Sequence, residues 1–423
     1  MDYQQRVIDG ILDAAFGEIV AIALEGAKGV GKTATASRRA KTVLSLTDPP
    51  TRAIVAGNHD LVAEAEPPVF IDEWQLEPQV WDRVRTAVDD DPRSGGRFLL
   101  AGSAGVAPGA RVHSGAGRIV RLVMRPMAMS ERGIQVPAVS LKELHAGGAA
   151  VTGTSSLTTK DYVHEILRSG FPGVRDLSEG NRELQLDSYL TRVVDKDLPD
   201  NGVRVRRPAA LLAWLRAYGA ATASTADYTK ILDAATAGES NKPARGTVDG
   251  YREHLQRLFI LDPIAAWIPS FTPLKRLTVS PKHHLVDPAL AARMVGIGAQ
   301  GLLLGEGGVP SPSAGTWLGA LFESLAVQSV RTYAAAMRAR VGHLRTKTGD
   351  HEIDIIVETN DRKITALEVK LSDTIRDDDV KHLHWLKAQM GPLLTDAVIL
   401  NTGRFAYRRQ DGIAVVPLAL LGP

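Results

Sequence analysis

The sequence predicts an α/β protein of more than one domain. Three observations carry that reading: a length of 423 residues, an N-terminal alternation of short apolar runs with helix-like segments, and a glycine-rich turn between the first such run and the next helix. A chain this long exceeds the size at which a single hydrophobic core stops growing, so two or three domains are expected. Hydrophobic residues make up 44% and charged residues 23% of the chain, a globular composition. The net charge of +2 selects no class of partner, and a DNA-binding face would have to come from local clustering. The chain has no cysteine, which excludes disulfides and thiolate metal sites and fits a cytoplasmic location. Residues 1–10 lack a basic region followed by an apolar run, so no signal peptide is expected. The longest apolar runs, such as residues 19–24, are too short to span a bilayer, and no membrane partner is expected.

In chain order, residues 3–16 read as an amphipathic helix, 19–24 as a strand and 32–46 as a helix. Residues 69–71 and 97–101 fit central strands. Apolar on both faces, these runs suggest a parallel sheet covered by helices. Residues 146–160, rich in Gly, Ser and Thr, read as a loop or linker. Residues 161–200 read as helical, interrupted at Gly170-Phe171-Pro172-Gly173. Two or three short helices follow over 208–262, with a loop around 238–246. The last helix, 247–258, carries Val248, Tyr251, Leu255 and Leu258 on its apolar positions. That order suits a small winged helix and equally a plain helical lid. Residues 299–316 mark a second boundary or long loop. Beyond it a helix (317–336), three strands (341–345, 353–358, 364–369), a helix (377–389) and a strand (397–400) give an αβββαβ order.

Gly26-Ala27-Lys28-Gly29-Val30-Gly31-Lys32-Thr33 matches G-x-x-x-x-G-K-[ST] in full, with a strand before it and a helix after it. Glycines let successive N–H groups turn toward phosphate oxygens, and the helix N-terminus adds partial positive charge. The motif predicts binding of a nucleoside triphosphate, ATP with Mg2+. Lys32 reaches the β and γ phosphates, and the Thr33 hydroxyl ligates the metal. A second signal is Pro68-Val69-Phe70-Ile71-Asp72-Glu73, an apolar strand ending in two carboxylates. Asp72 is expected to hold the Mg2+, and Glu73 to orient and polarise the attacking water. Ser103 ends a third strand, where it can contact the γ-phosphate or the water. Arg118 is a candidate for stabilising charge on a neighbouring subunit's nucleotide, with Arg111 and Arg121 as competitors and an ordinary surface salt bridge as the plainer reading. That role requires an oligomer.

A second candidate site lies near the C-terminus. Asp354 sits in one strand and Glu368-Val369-Lys370 ends the next, spaced D-x13-E-x-K. A hairpin brings both carboxylates and the lysine to one end of the sheet. There the carboxylates can hold Mg2+ and the lysine can position a water for phosphodiester attack. Glu323, on the preceding helix, completes the candidate metal set, and Glu352 and Glu358 are alternative carboxylates. The plainer reading pairs Glu368 with Lys370 in solvent. Arg204, Arg206 and Arg207 form a basic cluster that either meets DNA phosphates or is a solvated hinge. The histidines, including His283-His284 and His382/His384, show no zinc-type spacing. Trp74 reads as a packing residue.

Several segments together resemble a family of prokaryotic AAA+ type ATPases with a C-terminal domain of unknown function. They are GAKGVGKT (26–33), VFIDEWQ (69–75), LLAGS (99–103), GRIVRLVMRPMAMSERG (117–133), SGFPGV (169–174), YLTRVVDKDL (189–198), HLVDPALA (284–291), FESL (322–325), EIDIIVE (352–358) and LEVK (367–370). The resemblance implies a P-loop NTPase core of AAA+ type over 1–140 and a helical lid and linker over 141–206. It also implies a winged-helix-like domain over 207–280 and a restriction-endonuclease-like α/β domain over 281–423. Asp354, Glu368 and Lys370 stand at the motif positions of PD-(D/E)xK nucleases. The expected activity is ATP hydrolysis, with double-stranded DNA as the macromolecule bound or acted on. The alternative is a nucleotide-controlled DNA- or protein-binding module whose nuclease-like domain is inactive. The stretch 45–68 departs from the pattern, being short and irregular, and leaves one sheet edge unplaced.

Overall fold

The computed structural model describes residues 3–103, 113–237, 245–269, 277, 279–305 and 316–423. Arg111 and the predicted loop residues 238–244 lie outside them.

The N-terminal core is a five-stranded sheet of β1 (Ala21–Glu25), β2 (Thr42–Ser45), β3 (Val69–Asp72), β4 (Phe98–Gly102) and β5 (Ile119–Val123). Their order is β2-β3-β4-β1-β5, and every pairing is parallel. Alternate residues feed two separate cores. Ile22, Leu24, Phe70 and Leu99 pack with Ile8 and Leu12 of the helix Val7–Phe16. Ala21, Ala23, Val69, Ile71, Phe98 and Leu100 pack with Val80, Trp81 and Val84 of the helix Gln79–Asp90. Burial on both faces is what the apolar runs predicted.

Two expectations need correction here. Residues 32–46 do not form one helix. The helix Lys32–Ser37 is six residues long, and β2 follows it on the open edge of the sheet. The β-branched Thr42 and Val43 pair with Val69 and Phe70 of β3, and that pairing overrides the local helical pattern. The sheet edge left unplaced in the sequence is this strand. Residues 299–304 are likewise helical (Ala299–Leu304) rather than loop, because Leu302 is buried.

The middle of the chain is helical, including Thr159–Arg168, Glu179–Arg192, Pro208–Ala220, Tyr228–Ala235, Arg245–Arg257 and Pro288–Val295. Between the last two, isolated antiparallel bridges join Leu261 to Leu285 and Ile264 to Lys282. Two-residue strands β6 (Val139–Ser140) and β7 (Gly153–Thr154) precede these helices.

The C-terminal part realises the αβββαβ order: helix Trp317–Ala336, β8 (Arg340–Arg345), β9 (Glu352–Glu358), β10 (Ile364–Lys370), helix Asp377–Met390 and β11 (Leu394–Asn401). With β12 (Phe405–Arg408) and β13 (Ala414–Pro417) the sheet runs β7-β12-β13-β11-β10-β9-β8. Strands β8, β9 and β10 form an antiparallel meander, and β10 pairs with β11 in parallel. Ile364, Ala366, Ala397 and Ile399 pack on Val380, Leu383 and Leu386 of one flanking helix. Leu367, Val398 and Leu400 share the opposite core with Leu321 and Leu325 of the other. The predicted linker contributes β7 to this sheet through Phe405↔Thr154. The final strand β14 (Leu421–Gly422) returns to pair with β6. Among the described residues, no helix is long and apolar enough to cross a membrane.

Candidate functional site

Leu24, Ala101 and Asp72 stand in register across β1, β4 and β3. The glycine-rich loop, Asp72-Glu73 and Ser103 therefore leave the sheet along one edge, at the carboxyl ends of parallel strands, where open α/β sheets bind ligands. The loop opens the helix Lys32–Ser37 through Gly31, whose φ of 106° lies in the left-handed region that side chains avoid. Lys32 is 5% exposed and donates to the carbonyls of Gly26 and Ala27 at 2.8 and 2.9 Å. Burial pulls its ammonium down to about 8, against the opposing pull of the Glu73 and Asp72 carboxylates.

The Thr33 hydroxyl lies 3.1 and 3.0 Å from the two carboxylate oxygens of Asp72. Burial pushes the Asp72 carboxyl above its usual range, with the Thr33 hydrogen bond opposing. A hydroxyl and a carboxylate side by side form a hard-oxygen donor pair suited to Mg2+. Glu73 turns the chain with a φ of 52°, which takes its side chain off the line of β3. Its Oε2 accepts from the Gln75 amide and, at 3.4 Å, from the Ser103 hydroxyl. Gln75 escaped the sequence reading; only its place two residues after the paired carboxylates pointed to it. Arg6 escaped as well. It is 5% exposed and donates to the Val30 carbonyl at 2.9 Å and the Arg125 carbonyl at 2.8 Å, bracing the loop from behind.

The other face of the loop meets the middle segment. Lys28 pairs with Asp197 at 2.6 Å, and Tyr189 donates to the Lys28 carbonyl at 3.4 Å. Phe171 packs in one core with Val30. The turn holding Phe171 is pinned twice: Met127 donates its N–H to the Gly170 carbonyl, and Gly170 donates to Asp287, both at 2.7 Å. A Cβ on Gly170 would stand 2.8 Å from the Met127 carbonyl oxygen, so that close approach requires glycine. The SGFPGV and HLVDPALA segments thus have a physical role in seating the middle segment on the loop.

Arg118 pairs with Asp89 at 2.8 Å. It precedes β5, whose first residue aligns with Ala21 at the start of β1. It therefore sits at the sheet end opposite its own loop. Arg121 pairs with Glu25 at 3.2 Å.

At the C-terminal cluster, Glu323, Glu352 and Asp354 converge, but on a lysine from outside the motif. The Lys282 ammonium lies 2.7 Å from Glu323, 2.8 Å from Asp354 and 3.1 Å from Glu352. The second Asp354 oxygen accepts the Val369 N–H at 2.9 Å, and Lys370 pairs with Glu368 at 2.9 Å. Glu358 pairs instead with Arg340. Burial and then the Asp354 carboxylate push Glu323 well above its usual range and Glu368 up to about 8. Burial also opposes ionisation of Asp354, yet Lys282 and then Lys370 outweigh it and hold that carboxyl low. Glu323, Asp354 and Glu368, read from the sequence as metal ligands, do not present a cation-ready pocket. Among the described residues no group of three or more acidic or histidine side chains is arranged to hold a metal.

Comparison with known families bears on the N-terminal core. Residues 19–132 match the profile of an AAA domain. The N-terminal core is a P-loop ATPase-type domain. Residues 159–301 and 318–421 match two domains of unknown function, DUF8612 and DUF4143. No curated protein matches the chain. Among solved structures, a Walker-type ATPase of Pyrococcus abyssi aligns over 69% of this chain and 96% of its own, with 12% identity and a TM-score of 0.40.

Proposed function

We propose that this protein hydrolyses ATP and that the nucleotide state controls a DNA-binding module formed by its middle and C-terminal parts. The observation that carries the reading is the convergence of Lys32, Thr33, Asp72, Glu73 and Ser103 on one sheet edge. The loop N–H groups from Gly26 to Thr33, with Lys32, are placed to cradle the triphosphate. Thr33 and Asp72 are placed to hold Mg2+, which would offset charge on the β and γ phosphates. Glu73 would accept a hydrogen bond from the attacking water and polarise it, while the Ser103 hydroxyl donates to that carboxylate and helps to hold it. Gln75 holds Glu73 from the other side.

Transmission to the rest of the chain is supported by the Lys28–Asp197 pair and by Phe171, which put the middle segment directly against the phosphate loop. Exposed Arg204 and Arg206 offer contacts for DNA phosphates. Of the two readings of the C-terminal domain, cutting or binding alone, the Lys282 position favours binding alone.

The test is ATP turnover by the full chain in Mg2+, with and without double-stranded DNA, for wild type and Lys32→Ala. Turnover stimulated by DNA and absent in Lys32→Ala is expected. Wild-type turnover in Lys32→Ala would remove the loop assignment, and indifference to DNA would turn the reading toward a protein-directed switch.

A further inference from the structure

We propose that the C-terminal carboxylate cluster is neutralised by the Lys282 ammonium in place of a divalent cation, so that the nuclease-like site is closed to metal-dependent phosphodiester cleavage. The inference rests on the nuclease-like reading of that domain.

Geometry is the first argument. Oxygens of Glu323, Asp354 and Glu352 surround one nitrogen at 2.7, 2.8 and 3.1 Å. Those are ammonium distances. Oxygens bind Mg2+ at about 2.0–2.1 Å, so an ion at this point would need all three carboxylates to close in by most of an ångström.

Occupancy is the second. Lys282 is 2% exposed and ranks among the largest fully buried side chains of the described residues. An ammonium taken out of water persists only where opposite charge and hydrogen bonds surround it; Asp354 supplies both, accepting at 2.8 Å, with the oxygens of Glu323 and Glu352 beside it. A metal entering the cluster would have to displace this cation, or share a small volume with it and with the Lys370 ammonium. Either course is repulsive.

Anchoring is the third. Lys282 exchanges two backbone hydrogen bonds with Ile264, each 2.9 Å. The next residue, His283, donates its N–H to the Ser224 carbonyl at 2.8 Å and accepts from the Ala223 N–H at 2.8 Å. The His283 ring bonds the Ala226 carbonyl at 2.7 Å. The lysine is thus delivered by chain that is pinned to the middle segment. Its side chain joins that segment to the helix Trp317–Ala336 through Glu323 and to β9 through Glu352 and Asp354.

The experiment is an electron paramagnetic resonance titration of nucleotide-free full-length protein with Mn2+, comparing wild type, Asp354→Asn, Lys282→Ala and the Lys282→Ala/Asp354→Asn double variant. We expect wild type and Asp354→Asn to show the same Mn2+ uptake, because neither holds an ion at the cluster. Lys282→Ala gains one bound Mn2+ per chain, and the double variant loses it. Mn2+ bound by wild type and lost in Asp354→Asn overturns the inference while leaving the nuclease-like reading intact. A folded Lys282→Ala protein that gains no Mn2+ overturns the nuclease-like reading itself. Should Lys282→Ala not fold, the wild-type and Asp354→Asn pair still decides whether an ion sits there.

Discussion

The Lys32 ammonium points back into its own loop and donates to the Gly26 carbonyl at 2.8 Å. The cation is stored among peptide oxygens in a buried place, and its proton is correspondingly loosened, to about 8. Phosphate oxygens would replace those carbonyls and bring full negative charge beside the nitrogen.

That storage predicts a pH dependence of ATP affinity. Below about pH 8 the free protein already carries the ammonium, so affinity is nearly flat. Above it the free lysine is neutral, while the triphosphate complex retains the proton, so binding must take one up. The dissociation constant of a fluorescent ATP analogue in Mg2+ is expected to weaken by about tenfold between pH 7 and pH 9. A profile that stays level across this range would show that Lys32 does not meet the phosphates.

Glu73 and its two partners separate binding from turnover. Glu73→Gln keeps the shape and the contacts of the loop but cannot polarise water, so turnover should fall by about 10²–10⁴ with ATP affinity retained. Gln75→Ala frees the carboxylate from its amide partner, and the effect should appear in kcat with little change in KM. Equal losses of affinity and rate in Glu73→Gln would assign that residue to the structure of the loop instead.

Stability should hinge on Glu165. Its carboxylate lies 3.2 Å from Arg132 and 3.1 Å from Arg175, and the three side chains are 6%, 0% and 5% exposed. Arg132 also reaches Gln328 at 3.2 Å, tying the core to the helix Trp317–Ala336. Glu165→Ala leaves two buried guanidiniums without their counter-charge and should cost about 3–5 kcal/mol in urea unfolding. A loss below about 1 kcal/mol would mean that water or another carboxylate compensates them.

Much of the architecture was legible because local patterns carry it. The helix Trp317–Ala336 and the strands after it were visible as apolar runs of the right length and period, since burial on both faces leaves little choice of residue. The phosphate loop was legible for a different reason: tight turns and close phosphate approach admit few side chains. Strand β2 was not legible, because an edge strand with one neighbour has weak patterning and gains its backbone partners only from β3. Strand β7 was hidden for the same reason, as its partner Phe405 lies some 250 positions away.

By itself the sequence determined the chemistry on offer at each site: a loop that can cradle a triphosphate, two carboxylates at a strand end, and an acidic D…ExK constellation on an αβββαβ frame. Only the tertiary structure decided how that chemistry is deployed. Lys282 lies 72 positions from Asp354, on a segment with no motif of its own, and it reaches the acidic cluster from a stretch whose backbone pairs with Ile264 at Lys282 and with Ser224 at the next residue. Gln75 and Arg6 acquire their roles in the same way. Charges compensate across space, and the potential at a buried point is the sum of everything packed around it.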